Sequence, residues 1–306
     1  MVIHGSSDKF AGLYSAADFR AGLHGTAYSY AVYRDHSGEN KETDAVTPRT
    51  ASALFDAGMS IVTVGADADN ERLSAFITSA GKALGVTAGA FVNCHYSPDG
   101  HGLDWHFDAT HVFILQIEGK KRWQFSRSPA TPAPLFARDL ETVRQPEFAA
   151  ALGDGQKWEP PTGSDISERD LQPGNVFYMP PGTWHKASAL GESLALTLSF
   201  YPISFTTLLS TAIHALALKD TEWRRDLEEF NPLDTGAIGS AAFASFLAGR
   251  LEEAAGVIRD MSAEDLVSAF NHVRATPPLR DLVRDSTLLT RVRSAQKSQG
   301  SVLKAR

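Results

Sequence analysis

The feature that most constrains this chain is its middle, residues 88 to 201, where short apolar runs alternate with turns rich in Gly and Pro. Ala90 to His95, His111 to Ile117, Arg122 to Phe125, Val176 to Met179 and Leu194 to Tyr201 read as strands. Pro98-Asp99-Gly100, Glu118-Gly119-Lys120, Gln172-Pro173-Gly174 and Pro180-Pro181-Gly182 supply the turns between them. Many short strands punctuated in this way close on themselves as a sandwich or a barrel. Residues 128 to 170 are proline-rich and irregular, and read as a long insertion over one face.

The flanks differ in character. On the N-terminal side, Ala27 to Tyr33 and Ser60 to Val64 are strand-like, with a polar loop from Arg34 to Arg49. Leu73, Phe76, Ile77, Ala80 and Leu84 recur at helical spacing, with Asp67 and Asp69 before the helix and Gly85 at its stop. After Pro202 the pattern is helical. Leu208, Leu209, Ala212, Ile213 and Leu216 form one stripe, and Ala242, Phe246, Leu247 and Leu251 another. Ser262, followed by Glu264 and Asp265, suits an N-cap before Leu266, Phe270 and Val273, and Arg291 to Arg306 reads as a fraying basic tail. The expected organisation is a β-rich body, 1–203, and a helical region, 204–306, serving packing or dimerisation.

Composition removes several function classes. No run of eighteen apolar residues spans a membrane, and the N-terminus lacks a basic and apolar signal pattern. The single cysteine, Cys94, excludes internal disulfides and multi-thiolate zinc sites, which suits a reducing cytoplasm. A net charge of -7 argues against direct nucleic-acid binding and tolerates a basic partner.

Chemistry concentrates at His106, Asp108 and His185. In His106-Phe107-Asp108 the spacing of two sends both ligand side chains off the same face of an extended strand. His185 follows the turn Pro180-Pro181-Gly182-Thr183-Trp184, far away in sequence. Two imidazoles and one carboxylate make the facial triad that holds ferrous iron with open positions, although zinc accepts the same donors. Thirteen residues after Asp108 comes Lys121, within Gly119-Lys120-Lys121-Arg122-Trp123. Read alone, that run is a solvated hairpin end. Beside a metal, its cation suits the distal carboxylate of a dicarboxylate.

Three blocks carry a family resemblance: Asn93-Cys94-His95-Tyr96-Ser97-Pro98; His106-Phe107-Asp108 with the run from Val112 to Trp123; and Leu171 to His185. Together they resemble the JmjC-type, cupin-fold 2-oxoglutarate oxygenases, most closely the ribosomal-oxygenase branch, from about residue 52 to 203. The resemblance implies a mainly β fold with a double-stranded β-helix (jelly-roll, cupin) core, N-terminal flanking α/β elements and a helical C-terminal region. It also implies Fe(II), 2-oxoglutarate and O2 as cofactor and cosubstrates. His106, Asp108 and His185 match the iron ligands, and Lys121 matches the residue that binds the 5-carboxylate. Asn93, Thr197 and Ser199 match polar residues of the cosubstrate pocket; read alone, Thr197 and Ser199 are ordinary strand residues. The sequence departs from the family at His95, where many relatives carry a tyrosine. His101 and His111 lie outside the ligand positions and read as exposed or satisfied histidines.

The implied reaction hydroxylates an unactivated C–H bond of an amino-acid side chain in a peptide or protein, releasing succinate and CO2. The retained Asp108 favours hydroxylation over halogenation, since halogenases carry a small residue there. A free or carrier-bound amino acid and a peptide natural product stand as alternative substrates. A metal-binding cupin interaction protein is the non-enzyme alternative, and a zinc or iron isomerase or hydrolase a third. A homodimer through the C-terminal helices is a further expectation.

Overall fold

The computed structural model of this chain describes residues 1–25, 27–34, 40–43, 45–86, 89–131, 133–134, 137–139, 159–202, 204–210, 213, 221, 241–264 and 266–268. Two compact units divide it, Met1–Pro202 and Ile203–Arg306. In the first, the strands are β1 (Val2–Ile3), β2 (Tyr28–Arg34), β3 (Asn40–Glu42), β4 (Ser60–Val64), β5 (Ala90–Ser97) and β6 (His106–Phe107). They continue as β7 (His111–Ser126), β8 (Arg138–Asp139), β9 (Ile166–Leu171), β10 (Val176–Met179) and β11 (His185–Phe200). Among the described residues they form one 11-stranded sheet, ordered β1-β10-β7-β11-β5-β4-β2-β3, with β9 on β7, β6 on β11 and β8 on β6. The spine is β11, antiparallel to β7 on one side and to β5 on the other.

Strand alternation sorts this sheet into two faces. Val92, Cys94 and Tyr96 of β5 and Leu194, Leu196 and Leu198 of β11 face outward. There they pack with Phe19, Phe55, Leu73 and Ile77 of the flanking helices α1 (Ala16–Gly22), α2 (Pro48–Asp56) and α3 (Glu71–Leu84). Phe55 stacks on Tyr96 at 4.2 Å between ring centroids, and burial of one such ring contributes about 2 kcal/mol. Each helix starts at a side-chain cap. Ser15, Thr47 and Asn70 accept from the N–H groups of Asp18, Thr50 and Leu73. Gly85 ends α3 in the left-handed conformation, as its position in the sequence suggests. The opposite face buries Val112, Ile114, Trp123, Leu171, Phe177, Met179, Ala187 and Ala195 in a second cluster, which is the interior beside the site.

Several local expectations change. Glu118-Gly119-Lys120 is not a hairpin turn: β7 runs unbroken from His111 to Ser126, and the irregularity is absorbed as register shifts against Leu194 of β11. Gly119 makes this possible, with φ of 64° and a Cβ position only 1.9 Å from the Glu192 carbonyl oxygen. Gly119→Ala therefore combines backbone strain with a main-chain clash. It should lower stability by about 2 kcal/mol or more in urea unfolding; a change within error would contradict the tight bulge. The polar segment read as a loop contributes β3, and the segment read as an irregular insertion contributes β8 and β9. β9 escapes an apolar pattern because its stability comes from polar cross-strand pairs, Arg122 with Asp170 and Gln124 with Glu168. Residues 140–158 of the insertion lie outside the described residues.

The second unit is helical where it is described. Residues 205–210 are helical, and α4 spans Ala241–Asp260 with Leu247 and Leu251 exposed. Leu266 N–H donates to the Ser262 carbonyl, one helical turn on from the proposed cap. Ala212, Leu216, Asp265, Phe270, Val273 and the basic tail lie outside the described residues. No described helix is long and apolar enough to cross a membrane.

Candidate metal centre

His106 lies on β6 and His185 begins β11, and the two residues are direct register partners. Their rings sit 4.1 Å apart between centroids. Asp108, just past β6, is held by its main chain, whose carbonyl accepts the Gly182 N–H of the turn that leads to His185. The Pro180–Gly182 turn thus couples the two distant segments. Among the described residues, His106, Asp108 and His185 are the group able to hold a metal ion, their ligand atoms all within 4.8 Å of one another.

The hydrogen bonds behind the imidazoles decide which nitrogens face inward. His106 Nδ1 donates to the Asp104 carbonyl at 2.7 Å, and His185 Nδ1 donates to the Thr183 carbonyl at 2.8 Å. With both Nδ1 protons spent on main-chain oxygens, both Nε2 lone pairs are left for a metal. His185 Nε2 lies 3.5 Å from an Asp108 oxygen. Burial first, and the neighbouring His106 second, push the His185 pKa down to about 4, so the ring is neutral at physiological pH. Two imidazoles, a carboxylate and no thiolate form a donor set that fits a borderline divalent cation.

Lys121 is not a solvated hairpin end. Its side chain turns into the interior beside Leu171 and Ala189, is 2% exposed, and donates to Ser97 Oγ at 3.1 Å. Lys120 and Arg122 alternate to the other face, and Arg122 pairs with Asp170. No carboxylate pairs with Lys121 among the described residues, and burial pulls its pKa down to about 8.

Asn93, Thr197 and Ser199 share this inward face, with Asn93 opposite Thr197 in the β5–β11 register. Asn93 Oδ1 accepts the Gly65 N–H, so one end of the amide pins the β4–α3 turn to β5. Thr197 Oγ1 lies 3.3 Å from His95 Nε2. His95 also faces inward, and burial, then Lys121, His106 and His185, hold its pKa well below the usual imidazole range. It stays out of the ligand group, although Lys121, His106 and His185 are all near enough to act on it. His111 binds Tyr178 Oη through Nδ1 at 2.9 Å and is likewise no ligand, nor is His101. Ser97 and His95 were open to the period-two pattern Asn93, His95, Ser97 on one strand; the carbonyls of Asp104 and Thr183 carry no side-chain signal.

The comparisons with known proteins address this same stretch. Residues 69–208 match the family model of the JmjC domain, which covers α3 and β5 to β11. Residues 69–208 are the JmjC-like part of the chain. The chain is 26% identical over 232 residues to ribosomal oxygenase 1 of Homo sapiens, covering 71% of this chain and 34% of that protein. It is 34% identical over 141 residues to the bifunctional lysine-specific demethylase and histidyl-hydroxylase NO66 of Aedes aegypti, covering 45% of this chain and 20% of that protein. It thus spans about a third or less of these relatives' length. The ribosomal oxygenase YcfD of Escherichia coli, solved with cobalt and 2-oxoglutarate, superposes with a TM-score of 0.59. That match has 16% identity and covers 91% of this chain and 68% of that one. At that identity the likeness is one of fold: the mainly antiparallel β core of the cupin type, with flanking helices, is common to both.

Proposed function

We propose that this JmjC chain is an Fe(II)- and 2-oxoglutarate-dependent hydroxylase of an amino-acid side chain in a protein or peptide. The observation that carries the reading is the occurrence of His106, Asp108 and His185 with a buried Lys121 that has no carboxylate partner among the described residues, in one barrel interior. A structural metal clip has no use for that cation. When bound, ferrous iron with 2-oxoglutarate and O2 supplies the oxidising power to hydroxylate a C–H bond, with release of succinate and CO2. The two His Nε2 atoms and the Asp108 carboxylate would hold the iron. The Asp104 and Thr183 carbonyls fix the tautomer and tilt of the two rings. Lys121 and Ser97 bind the distal carboxylate, while Thr197, Ser199 and Asn93 line the pocket. Val112, Ile114, Phe177 and Met179 keep the chamber dry, which strengthens the Lys121–carboxylate attraction.

Two partly buried tyrosines near Asp108 favour a basic side chain as substrate. Tyr30 and Tyr201 are both raised in pKa, chiefly by burial, with Asp108 adding to each and Glu42 and Asp139 adding to Tyr30. Phenol rings beside carboxylates attract a cation or an imidazole. The names of the relatives, a histidyl-hydroxylase and lysine-specific demethylase among them, point the same way. In this reading residues 1–203 are catalytic and 204–306 serve packing or dimerisation, a role supported by the exposed Leu247 and Leu251.

The test is succinate formation from 2-oxoglutarate with Fe(II) in air. It is followed by mass spectrometry of Lys-, Arg- and His-containing peptides for the gain of one oxygen atom. Succinate formation stimulated by such a peptide is the expected result. A protein that neither binds nor decarboxylates 2-oxoglutarate overturns the reading.

A further inference from the structure

Trp123 is buried on the inward face of β7, 5% exposed, and its indole Nε1 has no hydrogen-bond partner among the described residues. An indole N–H is a donor only, so burial without an acceptor is a net cost that native folds rarely leave standing. Its position says what the acceptor is. Along β7 the inward residues are Lys121, Trp123 and Phe125, and they face Ala189, Ala187 and His185 of β11 in that order. Trp123 therefore stands midway between the cation and the level of the triad, with its ring 5.9 Å from the His185 ring. Ala187 opposite is a methyl group, which leaves room that a longer side chain would fill. A dicarboxylate reaching from Lys121 to the triad runs alongside this indole.

We propose that the Trp123 N–H donates a hydrogen bond to 2-oxoglutarate in the barrel, making Trp123 a positioning residue for the cosubstrate. This rests on the hydroxylase reading above. The competing account is a resident water that accepts the N–H whether or not the cosubstrate is present. The two accounts differ in what the indole does for binding. If the ligand is the acceptor, Trp123→Phe costs 2-oxoglutarate affinity; if a resident water is the acceptor, affinity is kept. The smaller ring lowers the melting temperature under either account, through the volume it leaves.

The experiment uses the full chain, loaded with Fe(II) under nitrogen and titrated with 2-oxoglutarate by calorimetry and by tryptophan fluorescence. Trp123→Phe should weaken 2-oxoglutarate about tenfold, the loss expected for a hydrogen bond to a charged acceptor. Fe(II) affinity should be kept, and the ligand-induced change in tryptophan emission should shrink. In turnover, KM for 2-oxoglutarate should rise with kcat largely retained. Equal 2-oxoglutarate affinity in the variant overturns the proposal. Failure of the wild-type protein to bind 2-oxoglutarate instead overturns the hydroxylase reading itself.

Discussion

Asp108→Ala should abolish succinate formation from 2-oxoglutarate and leave the fold intact. Asp108 earns its place in the barrel through its main chain, whose carbonyl holds the Gly182 N–H, and alanine keeps that bond. Its carboxylate contributes the one negative donor of the candidate centre, with His185 Nε2 3.5 Å away. Without it, two imidazoles are left to hold a divalent ion. Metal affinity should then fall by at least about a hundredfold, beyond the 10- to 100-fold typical of losing only a supporting hydrogen bond. The thermal melt of the metal-free variant should stay close to wild type, because the side chain is partly exposed. Fe(II) titration followed by the succinate assay reads both effects. Wild-type metal affinity in the variant would remove Asp108 from the centre.

The site was legible in the sequence where side chains carry the chemistry and obscure where the main chain does. His106, Asp108 and His185 stand out by type and spacing, and their convergence follows once β6 and the start of β11 pair. The carbonyls of Asp104 and Thr183, which decide which imidazole nitrogen faces the metal, belong to no residue-type pattern. Lys121 was ambiguous for a physical reason. Gly119 reads as the apex of a turn, which would put the three basic residues after it in solvent. The chain instead continues as one strand through a bulge, and alternation then buries Lys121 while exposing its neighbours. The edge strand β9 was hidden because Glu168, Arg169 and Asp170 carry no apolar alternation; its partners lie across the strand.

β11 shows how one strand serves both core and site. Its outward residues, Leu194, Leu196 and Leu198, are large and close the contact with the helices. The inward ones, Ala187, Ala189, Ala195, Thr197 and Ser199, are small, so the barrel interior keeps space where Lys121 and Trp123 reach across. Small side chains on the concave face of a strand lined by large ones on its convex face are a packing signature of a ligand chamber.

Lys121→Ala should weaken 2-oxoglutarate by at least about a hundredfold, from the roughly 3–5 kcal/mol that breaking a buried ion pair costs, with Fe(II) binding largely kept. The pH dependence gives an independent check on the same residue. Burial takes the lysine from its ordinary 10.5 down to about 8 in the ligand-free protein. Between about pH 8 and 10.5 the unfolded chain therefore holds a proton that the folded chain has released. Stability from this group rises with pH across that window and is at its lowest below it, where an unpaired ammonium is buried. Binding runs the other way, because a dianionic cosubstrate requires the ammonium. Affinity for 2-oxoglutarate should be flat below about pH 8 and fall above it, as proton uptake is added to the binding step. Melting curves with and without 2-oxoglutarate at pH 7 and pH 9.5 read both trends. The ligand-induced rise in Tm should be larger at pH 7 in the wild type and small at both values in Lys121→Ala. An equal rise in wild type and variant would place the distal carboxylate elsewhere.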